Sequence, residues 1–209
     1  WQQQFTNHPA CADLEFYRGR ALSNLRQETN AFAVLTNFVT RYPTNALAPA
    51  AQYWLGDHHF ALGDFAQAEK YFSLLYHYWP TSSLAPEACM MAGRAAIGRS
   101  GFREAITHFT NLTANPNCPP DLKSPARFAY GSALRLLPET NPTNLLGNLT
   151  LAVGVFNTIQ QENPGTQAAA AAWVEMGNTY FQMGTFDAKF YPQARSEEHT
   201  SELQLPYVI

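Results

Sequence analysis

The sequence contains an internal repeat with a period of 37 residues. The phrase Leu47-Ala48-Pro49 returns as Leu84-Ala85-Pro86 at this shift. The same shift relates other residue types: Gly19 to Gly56 and Gly93, Ala31 to Ala68 and Ala105, Phe65 to Phe102, Phe72 to Phe109, and Pro43 to Pro80. Because several residue types share one offset, the chain is predicted to stack copies of one supersecondary unit.

Each repeat has the pattern of two helices joined by a turn. In the second repeat, residues 50–62 carry apolar side chains at helical spacing, and Gly63-Asp64 interrupts them. A second helix is predicted from Phe65 to Tyr78, and Pro80 prevents its continuation. A single helix pair cannot bury both of its faces, so the repeats are predicted to gain stability by stacking on one another.

The repeat register continues beyond the third repeat with longer spacings. Gly131 follows Gly93 by 38 positions and Gly177 follows Gly131 by 46, because the stretch 138–144 is inserted in the fourth repeat. The predicted array spans residues 13–194. Its repeats lie near residues 13–46, 47–83, 84–120, 121–166 and 167–194, the last of them truncated. Residues 1–12 are predicted to be the frayed N-terminal edge of a fragment.

The C-terminal residues differ in character from the array. Residues 195–204, from Arg195 to Gln204, resemble the in-frame translation of a common sequencing adapter. We therefore interpret residues 195–209 as an artefactual tail and assign them no function.

The second repeat carries the residues by which a family can be identified. Leu55-Gly56, Gly63, Phe65, Ala68, Phe72 and Pro80 resemble the signature of the tetratricopeptide repeat, although His59 stands where that family has an aromatic residue. The resemblance implies an all-α fold, a right-handed superhelical solenoid of antiparallel helix pairs. It also implies a protein–protein interaction scaffold that binds a protein or peptide, and no enzyme.

The junction between repeats indicates a subgroup. A helix that ends in Tyr42-Pro43 or Trp79-Pro80 resembles the bacterial envelope proteins that include the BamD outer-membrane assembly lipoprotein and the periplasmic TolA-binding cell-division coordinator. This resemblance implies a location in the periplasm or on the periplasmic face of the outer membrane. The alternative is a recruitment or regulatory arm of a larger multidomain enzyme or cytoplasmic protein.

Composition excludes several other functions. The formal net charge is -3 and no basic block occurs, so the electrostatic attraction that nucleic-acid binding requires is missing. No apolar stretch approaches the roughly 18–20 residues of a membrane helix. The sequence also lacks the glycine-rich phosphate-binding motifs. We therefore expect no nucleic-acid partner, no transmembrane segment in this fragment and no cofactor.

In tetratricopeptide arrays the first helix of each pair lines a concave groove. Carried over residue by residue, this resemblance implies one column of Phe16, Tyr53, Met90, Phe128 and Val174. One turn later lie Arg20, Asp57, Arg94, Ser132 and Asn178, and a further turn adds Phe60, Arg135 and Phe181. A partner's apolar side chains would contact the first column. The alternative is that this column packs within the array, and the sequence leaves both possibilities open.

The remaining chemically versatile residues indicate no reaction. His58 and His59 are neighbours on a helix and point about 100° apart, so they do not share a metal ion easily. Cys89 is interpreted as a small buried hydrophobe, and Cys118 as a loop thiol without a partner base. Carboxylates are scattered over the repeats without an evident acid/base pair. We expect no catalytic residue and no metal site.

Overall fold

The computed structural model describes residues 10–196, and this part of the chain contains helices and no strand. The helices are α1 (Ala10–Asn24), α2 (Glu28–Arg41), α3 (Ala48–Ala61), α4 (Phe65–Tyr78), α5 (Ala85–Gly98), α6 (Phe102–Ala114), α7 (Pro120–Leu136), α8 (Pro142–Glu162) and α9 (Gln167–Gly184), followed by a short 3-10 helix (Ala188–Phe190). The predicted all-α class is confirmed. The predictions for residues 1–9, and all but two residues of the predicted artefactual tail, lie outside the described residues.

The chain divides into two compact units, Trp1–Arg99 and Ser100–Ile209. Unit 1 contains α1 to α5, and unit 2 contains α6 to α9 and the 3-10 helix. Within each unit every helix packs against the next one along the chain. Short connections and sequential packing are what the predicted helix pairs require.

In the first, second and fourth repeats a glycine of the first helix closely approaches a large side chain of the second helix. A β-carbon added to the glycine would lie 2.6 Å from Leu35 at Gly19, 2.8 Å from Phe72 at Gly56 and 2.9 Å from Phe156 at Gly131. Phe72 and Phe156 are completely buried. Only a residue without a side chain leaves room for these rings, which explains the repeated glycine.

The turns within the first three repeats share one backbone conformation. Arg26, Gly63 and Ser100 have φ values of 61°, 76° and 63°, and they are 37 positions apart. This left-handed conformation reverses the chain between two helices, and glycine adopts it without steric cost. After the second of these turns, Asp64 caps α4 by accepting a hydrogen bond from the Gln67 amide at 3.3 Å. The helix interruption predicted at Gly63-Asp64 therefore arises from the left-handed backbone of Gly63 and the cap formed by Asp64.

The junctions between repeats also recur in structure. The Leu47 amide donates to Asn45 Oδ1 at 2.8 Å, and 37 positions later the Leu84 amide donates to Ser82 Oγ at 3.2 Å. Both bonds fix the chain just before a helix that begins with Ala-Pro. The junction before α3 has a further support, since Trp79 Nε1 donates to the Pro43 carbonyl at 2.9 Å.

Unit 2 accommodates the insertion of the fourth repeat by lengthening a helix. α8 has 21 residues, whereas α2 and α4 have 14 each. The last three residues of the inserted stretch form the first turn of α8, after Asn141 caps the helix by accepting from the amides of Thr143 and Asn144. Leu149, Phe156 and Ile159 of α8 are fully buried. The insertion therefore adds helix at the exposed start of α8 and leaves its core residues in place.

None of the helices in residues 10–196 combines the length and the apolar character that a membrane span requires.

Candidate partner-binding site

The first-helix residues of unit 1 combine a half-buried aromatic residue with exposed charges. Tyr53 lies on α3 with its ring 5.3 Å from that of Phe72. Burial, with a smaller contribution from the carboxylates of Glu87 and Asp57, raises the pKa of Tyr53 to about 12, while Arg94 acts in the opposite direction. Tyr53 therefore keeps a neutral hydroxyl group, which is able to donate or accept a hydrogen bond beside charged side chains.

The second predicted column is polar and accessible in unit 1. Arg20, Asp57 and Arg94 are all exposed, and their charges alternate in sign along the chain. Arg94 Nη1 lies 3.9 Å from the Met91 sulfur, a weak contact that leaves its charge available. Such a row attracts a partner with mixed charges and disfavours one with a single sign of charge.

Two residues of the predicted apolar column are core residues instead. Phe16 and Met90 each expose 6% of their surface, and the Phe16 ring lies 5.7 Å from that of Phe38. Phe60 is half-buried, with its ring 5.3 Å from Phe65. For Phe16 and Met90 the structure favours the packing alternative. Among the predicted apolar groups of unit 1, Tyr53 and Phe60 keep accessible surface.

Unit 2 presents its predicted site residues differently. Val174 and Phe181 of α9 are exposed by 49% and 62%, and the Phe181 ring lies 5.7 Å from that of Tyr191. Asn178 is exposed and Ser132 is half-buried. Phe128, by contrast, is half-buried against the core, with its ring 5.5 Å from Phe156. Among the predicted site residues of unit 2, the exposed apolar side chains therefore lie on α9.

Arg135 of α7 has a partner that the sequence did not predict. Its Nε lies 3.0 Å from Glu175 Oε2 of α9, and about a fifth of each side chain is exposed. Nothing in the sequence pairs Glu175 with Arg135, because an entire helix separates the two residues along the chain. The pair links α7 and α9, the first helices of two successive repeats. Arg135 therefore helps to hold these helices together, and its charge is already paired within the chain.

The two histidines serve packing. The His58 ring stacks on Trp54 at 5.2 Å, and the His59 ring stacks on Tyr71 at 5.2 Å. Their nearest carboxylates differ as well: Glu28 lies 3.6 Å from His58 Nδ1, and Asp64 lies 3.2 Å from His59 Nδ1. Within residues 10–196 no group of His, Cys, Asp and Glu side chains is arranged to hold a metal ion.

All three cysteines are buried. Cys118, predicted to be a loop thiol, exposes only 4% of its surface, and burial raises the pKa of its thiol. A raised pKa keeps the thiol protonated and unreactive at neutral pH. The side chains of the described residues therefore give no positive indication of nucleophilic chemistry.

Comparison with known proteins identifies the architecture. The tetratricopeptide repeat model matches residues 18–83, which include the first glycine and the junction at Pro80. The fold is that of a tetratricopeptide-repeat array. The tetratricopeptide protein YrrB, described as having an unusual peptide-binding site, has a TM-score of 0.67 and 15% identity, covering 99% of this chain and 93% of its own. No curated protein sequence matches the chain.

Two further solved structures of tetratricopeptide type are similar along nearly the whole array. MamA from Desulfovibrio magneticus RS-1 has a TM-score of 0.59 at 15% identity, with coverage of 92% of this chain and 94% of that one. A putative kinesin light chain from Podosopora anserina has a TM-score of 0.56 at 14% identity, with coverage of 93% and 98%. At such low identities these likenesses establish the fold, and they confirm the predicted helix-pair class.

Proposed function

We propose that this chain is a scaffold that binds a segment of a protein partner along the first helices of its repeats. The tetratricopeptide fold itself suggests a protein–protein interaction scaffold, and proteins of this type are typically non-enzymatic. The observation that carries the proposal is the row of exposed Arg20, Asp57 and Arg94 beside the half-buried rings of Tyr53 and Phe60 in unit 1. An apolar strip edged by charges of alternating sign suits an amphipathic peptide.

The structure also determines which variants test this proposal cleanly. Alanine at Tyr53 and Phe128 would weaken partner capture, but both rings contact buried phenylalanines and their removal would destabilise the array as well. Asp57 and Arg94 are exposed, so reversing their charges changes the surface and leaves the core intact. We therefore prefer Asp57→Arg and Arg94→Asp, singly and together.

The experiment selects binders from a phage-displayed library of random peptides and measures their affinities by fluorescence anisotropy. We expect each charge reversal to weaken the selected peptides roughly fivefold or more, and the double variant to select a different charge pattern. Lys70→Asp, an exposed charge reversal on α4, is the matched control and should change neither result. Unchanged affinities in the folded double variant would overturn binding at this surface.

We further propose a bacterial cell-envelope setting. The support is the Tyr-Pro and Trp-Pro junction, which resembles that of the envelope subgroup and in which Trp79 bonds to Pro43. The test is to sequence the parent gene upstream of Trp1. A leader that ends in a lipidation cysteine would support the proposal. A long soluble domain in its place would favour a recruitment arm of a larger protein.

A further inference from the structure

A cavity of about 760 Å³ lies in unit 1, away from the first-helix columns described above. Its walls come from the end of α2 and the loop that follows, from the start of α3 and from the end of α4. Among the lining residues are Val39, Pro43, Gln52, Leu74, Tyr78 and Trp79, and none of the residues that line it is charged. The volume is within the range of pockets that bind small ligands or several side chains of a peptide.

Gln52 gives this cavity a specific polar group. The residue exposes only 3% of its surface, and its Nε2 donates to the Tyr71 carbonyl at 3.0 Å. That bond fixes the orientation of the amide, so Oε1 is the atom left to face the cavity. Within the part of the chain that the structure describes, Oε1 accepts no hydrogen bond. This oxygen is not among the buried polar atoms that lack a partner, so it is accessible from the cavity and can accept a hydrogen bond from a ligand N–H.

In the first and fourth repeats an ion pair occupies this place, whereas the third has Cys89 and Asn115 there. Gln52 is four positions before Gly56, and the equivalent residues before Gly19 and Gly131 are Glu15 and Arg127. Glu15 pairs with Arg41 at 3.0 Å, and Arg127 pairs with Glu162, so in both cases an ion pair connects the two helices of the repeat.

In the second repeat the corresponding residues are Gln52 and Tyr78, six positions after Phe72, and both line the cavity. The first and fourth repeats therefore connect their helices with opposite charges at this place. The second repeat has two neutral side chains there, one of them 72% exposed. The second repeat therefore has a neutral, partly aromatic cavity where the first and fourth repeats have an ion pair.

We propose that this cavity binds an uncharged peptide segment that inserts an apolar ring and donates a backbone N–H to Gln52 Oε1. The indole N–H of Trp79 already bonds to Pro43, so the lining offers aliphatic surface and the Tyr78 and Trp79 rings. An aromatic side chain suits such a surface, because ring pairs gain energy beyond simple burial. The absence of charge in the lining disfavours an acidic or basic occupant, since its charge would be desolvated without a partner.

This site is independent of the first-helix surface, so its test does not depend on the proposed function. The probe is N-acetyl-phenylalanine amide, titrated into the full chain while NMR follows the Trp79 indole and the Gln52 side-chain amide. We expect saturable shifts of both signals. The analogue methylated on both nitrogens lacks the N–H donors and should bind roughly three- to tenfold more weakly, as the loss of one hydrogen bond predicts.

Variants separate binding from folding. Gln52→Arg together with Tyr78→Glu copies the Arg127–Glu162 arrangement of the fourth repeat and should abolish the shifts in a folded chain. Gln52→Leu removes the acceptor and should reduce binding to the level of the methylated analogue. Lys70→Asp, on α4 outside the lining, is the control and should bind like the parent.

Several outcomes would overturn the proposal. Equal binding of the amide and its methylated analogue would exclude the Gln52 bond. Tighter binding of indole than of the amide would assign the cavity to a non-peptide ligand. Shifts of Trp79 that depend on protein concentration without any probe would make a second copy of the chain the occupant. The absence of saturable shifts in the parent chain would remove the site altogether.

Discussion

The two units form the same helix-pair contact with different connections. In unit 1, α3 and α4 are joined by a tight turn through left-handed Gly63, whereas in unit 2 residues 137–141 connect α7 to a longer α8. Nevertheless Gly131 approaches Phe156 as closely as Gly56 approaches Phe72. In these two repeats the glycine–ring contact is therefore kept while the turn between the helices differs.

We expect the largest loss of stability when a side chain is added to the glycine of these contacts. Gly56→Ala in unit 1 and Gly131→Ala in unit 2 would place a β-carbon within 3 Å of a buried ring, so we expect each to lower the free energy of unfolding by about 1–3 kcal/mol. Urea denaturation followed by circular dichroism measures the loss. Gly154→Ala on α8 is the control, because its β-carbon would meet nothing within 4 Å and alanine favours the helix by about 0.5–1 kcal/mol. Equal responses at the three glycines would refute the distinction.

The turns of unit 1 should respond next, and with opposite signs. Gly63→Ala puts a side chain on a residue with φ of 76° and should destabilise unit 1 by about 1–2 kcal/mol. Arg26→Gly relieves the same conformation at φ of 61° and should stabilise it by up to about 1 kcal/mol. Thermal unfolding should show a lower melting temperature for Gly63→Ala and a higher one for Arg26→Gly. If both substitutions lowered the melting temperature, backbone strain would not be the relevant cost at position 26.

In unit 2 a helix cap begins α8 without the left-handed residue that precedes the cap of α4 in unit 1. Asn141→Ala removes the acceptor for the amides of Thr143 and Asn144 and should cost about 1 kcal/mol. Asn141→Asp keeps the acceptor and should preserve stability. Hydrogen exchange of the first amides of α8 reads the effect locally. A loss with both substitutions would show that the amide group, and not the cap acceptor, is what matters.

The periodicity of the sequence predicted where the helices lie better than it predicted how deeply individual side chains are buried. The predicted second helix of the second repeat, Phe65–Tyr78, has the same bounds in the structure, because Asp64 and Pro80 mark its ends locally. Phe16 and Met90, however, share a helical register with Tyr53 and differ from it in burial, since depth depends on what packs above each helix. The Arg135–Glu175 pair also could not be predicted, because it joins residues on two helices separated by a third.

Substitutions in the ion pairs should change the free energy of unfolding least, and they compare equivalent positions of units 1 and 2 directly. Glu15–Arg41 in unit 1 and Arg127–Glu162 in unit 2 occupy equivalent places with their charges exchanged. If only charge complementarity matters there, the exchange Glu15→Arg with Arg41→Glu should leave the free energy of unfolding unchanged. Either single substitution should cost about 0.5–1 kcal/mol, because the pair is partly exposed and like charges then face each other.

A double-mutant cycle at low and high salt measures this coupling, which added salt should reduce by screening. The same cycle at Arg127 and Glu162 is the matched control in unit 2. A double exchange that stays as destabilised as its single variants would mean that each unit requires its own orientation of the pair. In that case the neutral Gln52 and Tyr78 of the second repeat would be a departure from two distinct arrangements, and not from one shared arrangement.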